Sequence, residues 1–125
     1  MVIRYGTAVL NLAGVLSLIL GLLFWAGFAL HLVSMHMLLG LLAVGALWVI
    51  GIGQIFSKTG SWILAACALF IGAFTIVIGL KQTSMMPGAA HWVIQLVHLL
   101  LGVLTIGLGH MAVARHRKSE KNRRS

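Results

Sequence analysis

Four stretches of the chain, at 7–33, 35–56, 62–80 and 91–113, are each predominantly apolar over a length that crosses a bilayer core. A membrane helix needs about 20 such residues, because hydrocarbon offers no water to a backbone amide and an α-helix satisfies its amides internally. The prediction is an all-α integral membrane four-helix bundle over residues 1–114, followed by a basic tail at 115–125. The first stretch reads as a retained span: it is longer than the apolar region of a secretory signal, and no small-x-small cleavage site follows it. The connections around Ser34 and at 57–61 are short, so consecutive helices are expected to be antiparallel neighbours. The third connection carries the only proline, Pro87, followed by Gly88, and is the one loop with room for shape.

Charge narrows the chemistry. Nine residues are Lys or Arg and one is acidic, Glu120, so the first 119 residues hold no carboxylate. This excludes a paired-carboxylate acid and base and a carboxylate cage for a hard divalent cation. The single cysteine, Cys67, excludes an internal disulfide or a multi-cysteine metal site and reads as a small buried hydrophobe. If both termini are cytoplasmic, Arg4, Lys58 and the six bases of the tail lie inside, and Lys81 alone lies outside, as the positive-inside rule demands. The tail reads as a solvated run able to touch anionic lipid headgroups. It lacks the interleaved aromatics of a nucleic-acid reader. Trp62 and Trp92 sit at helix ends as interfacial anchors, with Tyr5 and Trp25 as anchors or packing residues. The compact, loop-poor plan suits a bacterial inner membrane.

The two halves share a pattern. The second stretch begins His36-Met-Leu-Leu-Gly40-Leu-Leu-Ala-Val-Gly45, and the fourth contains His98-Leu-Leu-Leu-Gly102-Val-Leu-Thr-Ile-Gly107. The first and third each carry two glycines seven apart with a hydroxyl between them: Gly14, Ser17 and Gly21, then Gly72, Thr75 and Gly79. Such glycines support close helix association, and the two hydroxyls are expected to hydrogen-bond along or across helices. Two matches in the same order predict two parallel helical-hairpin repeats related by an axis along the membrane normal. His36 and His98 then become mates at equal depth.

On the fourth helix His91, Gln95, His98, Gly102, Thr105 and Gly109 fall on one stripe at about 100° per residue. A polar stripe in a membrane helix faces the bundle interior, because an unpartnered polar group in lipid costs several kcal/mol. The two repeated histidines are therefore predicted to meet across the middle of the bundle. Two neutral imidazoles on facing helices, each with a glycine one turn away, suit a heme b. Each histidine supplies one axial nitrogen, while Gly40 and Gly102 leave space for the flat macrocycle. Gln95 or a backbone carbonyl could orient a ring, and Lys81 could meet the propionates.

On His36-x3-Gly40 and His98-x3-Gly102 the chain resembles the small four-helix transmembrane b-type cytochromes. The resemblance covers mainly the second and fourth helices and implies electron transfer, as a carrier or as the membrane anchor of a redox partner, with a partner protein or a quinone exchanging the electrons. Proteins of that kind often hold a second heme nearer the opposite face. Here only His110 and His116 lie that way. His110 sits about 120° around its helix from His98, so one centre is predicted.

Other readings stay open. His31 with His91 is an alternative ligand pair. Met35, Met37, Met85 and Met86 near the outer histidines suit Cu(I), which prefers thioether and imidazole ligands, although methionine also fills apolar gaps. A structural or assembly subunit without cofactor is the third class, and a homo-oligomer is compatible with all of them. Asn11 and Gln54, toward the inner half, fit interior packing or the lipid interface. No nucleotide loop or nucleophile elbow is present.

Overall fold

The computed structural model describes residues 2–58 and 60–125. Four helices account for most of it: α1 Val2–Trp25, α2 Val33–Phe56, α3 Trp62–Lys81 and α4 His91–Arg124. All four are long and apolar enough to cross a membrane. Only 22–33% of each spanning window is buried, and large apolar side chains point outward on every helix. A protein in water does not keep so wide an apolar surface uncovered, whereas lipid covers it without cost.

The first turn comes earlier than the hydropathy suggests. α1 stops at Trp25, not at residue 33, because Gly27 takes a left-handed φ of +85°. Its N–H bonds the Phe24 carbonyl at 2.9 Å, and the Phe28 N–H reaches back to the Leu23 carbonyl at 2.8 Å. Those two bonds form a Schellman cap, which satisfies carbonyls left over at the helix end. The connection is thus 26–32, with a single 3-10 turn at Leu30–Leu32, and His31 lies in that turn rather than closing the first helix. Ser61 caps α3, accepting from the Leu64 N–H at 3.3 Å. The loop before α4 turns on Gly88, at φ +92°. At the other end of α4 the basic tail continues the helix to Arg124 instead of leaving it, so α4 runs 34 residues, about 51 Å.

α1 packs on α2, α2 on α3, α3 on α4 and α4 on α1. α2 and α4 also touch across the diagonal, and α1 and α3 make no comparable contact. The solid core lies in the half nearer the termini, built from Leu10, Ala13, Ala46, Leu47, Ile50, Ala68, Ala112 and Val113. Small residues bring the helices together there. Gly109 receives the Leu10 side chain, Gly51 lies against Ala68, and Gly72 lies under the Trp48 indole. Gln54, 2% exposed, donates its Nε2 amide to the Ala112 carbonyl at 3.2 Å and ties α2 to α4. Cys67 is exposed on the outer face of α3, not buried as its residue type suggests: α3 is apolar all round, so the sequence does not fix which of its residues turn outward.

Candidate functional site

The half of the bundle away from the termini is not solid. It holds a partly open cavity of about 500 Å³ to which all four helices contribute, within the roughly 300–1,000 Å³ of cofactor and small-molecule sites. Five of the predicted cofactor residues, His36, Gly40, Gln95, His98 and Gly102, line it, and His91 joins them. The stripe on α4 therefore faces inward as expected, with Thr105 at the cavity floor and Gly109 buried below.

His36 and His98 meet there. Their ring centroids are 6.2 Å apart and the ring planes are inclined at 73°. Each ring rests on a glycine of the preceding helix. A Cβ at Gly21 would stand 3.3 Å from His36 Cε1, and one at Gly79 would stand 2.8 Å from His98 Cε1. At Gly79 only glycine lets the backbone approach the ring so closely, whereas a Cβ at Gly21 would fall just inside ordinary contact. The sequence pattern had marked both glycines, but for helix association; their use as seats for imidazoles needs the rotation of α1 and α3, which periodicity alone does not give.

The two histidines differ in what holds them. His36 donates its Nδ1–H to the Ser17 carbonyl at 2.8 Å, with Ser17 Oγ 3.1 Å from the same nitrogen. The Ser17 hydroxyl returns a bond to the His36 carbonyl at 3.3 Å, and Phe24 meets the ring edge-on at a centroid distance of 5.3 Å. A proton on Nδ1 leaves the His36 Nε2 lone pair free to bind a metal. His98 Nδ1, by contrast, is buried without a partner. Thr75 stands four residues before Gly79 as Ser17 stands before Gly21, yet its hydroxyl donates to the Ile71 carbonyl at 2.7 Å and lies 3.2 Å from Thr105 Oγ1.

The other candidates are dispersed. Lys81 ends α3 on the exposed surface and does not line the cavity; its neighbours Gln82 and Thr83 do. His31 is exposed in the 3-10 turn and does not line the cavity, while His91 does and donates its Nδ1 to the Met85 carbonyl at 3.3 Å. Met37 reaches the cavity, while Met35 and Met86 are half exposed elsewhere. Toward the termini His110 faces outward and His116 lies 3.6 Å from Glu120.

Among the described residues no group of three or more His, Cys, Asp or Glu side chains could hold a metal ion. Two imidazoles are too few for a bare divalent ion, which takes three or four protein ligands. They suffice for a metal that brings its own equatorial ligands. His36 and His98, 6.2 Å apart between ring centroids, are the two imidazoles that would hold such a group. A Cβ at Gly102 would meet no atom within 4 Å, and one at Gly40 only Ser17 Oγ at 3.6 Å, so both glycines open onto free space.

Compared with protein-family models, with curated proteins and with solved structures, the chain finds no match.

Proposed function

We propose that the chain is a membrane-embedded heme b protein in which His36 and His98 supply the axial nitrogens, and that it serves electron transfer as a carrier or as the membrane anchor of a redox partner. The observation that carries this reading is the facing of two imidazoles at 6.2 Å across a 500 Å³ cavity that glycines leave open. Bound heme would supply a one-electron couple, which no side chain of this chain can provide. His36 acts as the fixed ligand, held by the Ser17 carbonyl. His98 approaches from α4, and Gly21 and Gly79 set the distance of each ring from the helix behind it. Gln82, Thr83, His91 and Gln95, the polar residues at the loop end, take the place first assigned to Lys81 in receiving the carboxylate edge of the macrocycle.

The similar seating of the two histidines supports descent from a duplicated hairpin, and the eight-to-one distribution of basic residues supports cytoplasmic termini; the compact, loop-poor plan suits a bacterial inner membrane. The centre then lies near the outer face. With His110 turned outward and His116 beside Glu120, electrons enter and leave at that face, through a partner protein or a quinone.

The test is an absorbance spectrum of protein purified after expression with ample heme, oxidised and then reduced. Soret and α bands that are lost or converted in both His36→Ala and His98→Ala, and kept in His110→Ala, are expected. A colourless protein, or bands indifferent to both substitutions, overturns the reading. The spacing also suits a plain edge-to-face ring pair, as a structural subunit would have. A colourless protein with stoichiometric Cu(I) lost on replacing His36 and Met37 would select copper binding, and one with neither metal the structural role.

A further inference from the structure

We propose that the two histidines hold unequally, that His98 is the ligand which lets go, and that a small neutral diatomic ligand can therefore take its place on the α4 side of the cavity. The inference rests on the heme reading above and extends it to a binding activity.

The argument begins with the second nitrogen of each ring. An imidazole that donates Nδ1–H to a carbonyl is held in one tautomer and orientation and becomes a better donor through Nε2; losing such a partner typically weakens metal binding 10–100-fold. His36 has that partner, the Ser17 carbonyl at 2.8 Å, and is further clamped by the Ser17 hydroxyl and the edge of Phe24. His98 has none: its Nδ1 is buried and unpaired. The Thr75 carbonyl, counterpart of the one that holds His36, makes no such bond to His98, and the Thr75 hydroxyl bonds Ile71 and lies beside Thr105 instead.

Sterics act the same way. The Gly79 backbone presses on His98 Cε1 more closely than Gly21 presses on His36, since the corresponding Cβ positions are 2.8 and 3.3 Å from the rings. Release costs no proton: Nε2 withdraws as a neutral imidazole with its lone pair, the lone pair of the incoming ligand replaces it, and no electron changes hands. The ligand is small and uncharged: the carboxylate edge would lie at the polar loop end of the cavity, and among the described residues no Lys, Arg, Asp or Glu lines the deeper part beside His98 to receive an ion.

The experiment uses the full chain, heme-loaded in detergent, reduced with dithionite and titrated with carbon monoxide. A saturable Soret shift with carbon monoxide is expected. His98→Ala should bind carbon monoxide at least tenfold more tightly, since no internal ligand competes, and His36→Ala should retain heme at least tenfold less well. Intact bands that do not respond to saturating carbon monoxide in the wild-type protein overturn the proposal and leave the heme reading standing. The absence of heme bands overturns both. Carbon monoxide binding that is strengthened in His36→Ala rather than in His98→Ala reverses the assignment and defeats it.

Discussion

Replacing Gly79 by alanine probes the seat of His98 with a single carbon. The added Cβ would lie 2.8 Å from His98 Cε1, 3.4 Å from Nε2 and 3.6 Å from Nδ1, where ordinary van der Waals contact begins at 3.4 Å. The ring must therefore retreat by about 0.6 Å or rotate off its rotamer. A turn of about 30° costs 0.5–1.5 kcal/mol, and overpacking of a tight site costs about 1–3 kcal/mol. A binding constellation tolerates only about 0.5 Å of displacement, so the strain falls on the geometry of the ligand. Heme retention is expected to fall by roughly 5- to 150-fold, at 1.4 kcal/mol per factor of ten. Gly21→Ala is the matched control. Its Cβ would stand 3.3 Å from His36 Cε1, nearly at ordinary contact, and it gains the same helix propensity as Gly79→Ala. A change within about threefold is expected for it, because the overlap with the His36 ring is only about 0.1 Å. Heme titration of both variants, with helix content followed by circular dichroism, reads the difference. Equal retention in the two, or a larger loss in Gly21→Ala, would refute the steric reasoning.

Three further outcomes follow from the packing. Ser17→Ala keeps the carbonyl that His36 bonds and loses only the hydroxyl, so heme is expected to be retained, with about 1 kcal/mol less thermal stability in a detergent melt. Gln54→Leu removes the buried bond to Ala112 and leaves that carbonyl without its side-chain donor; a loss of about 1–3 kcal/mol is expected, with no change in the absorbance spectrum. Cys67 faces outward from α3, so a membrane-permeant maleimide should label it in the folded protein while a charged thiol reagent should not. Labelling only after denaturation would place it in the interior.

Much of this architecture is legible in the sequence where one physical cost dominates. The four spans follow from apolar length, and the inward face of α4 follows from the cost of placing His91, Gln95, His98 and Thr105 in lipid. The meeting of His36 with His98 is legible for the same reason, since two polar groups at equal depth have only the interior to face. What escapes is set by details that periodicity does not carry. The end of α1 depends on one backbone conformation, the left-handed turn at Gly27, inside an apolar run that hydropathy reads as continuous. Tail residues 115–124 are helical because α4 simply propagates, and charge reveals their solvation but not their conformation. The outward position of Cys67 and the inward use of Gly79 depend on the rotation of α3, which is apolar all round. Lys81 misses the cavity because α3 ends on it and the chain turns inward only at Gln82 and Thr83. The inequality of Ser17 and Thr75 is the least legible feature, because two equivalent hydroxyls choose different partners only after the helices have packed.

The most direct measurement is electron paramagnetic resonance of the oxidised, heme-loaded protein. If the two rings kept their 73° inclination on binding heme, a single, highly anisotropic low-spin signal would be expected. It should turn high-spin or vanish on removal of either His36 or His98. A high-spin signal in the wild-type protein, or a low-spin signal that survives both substitutions, would contradict ligation by this pair.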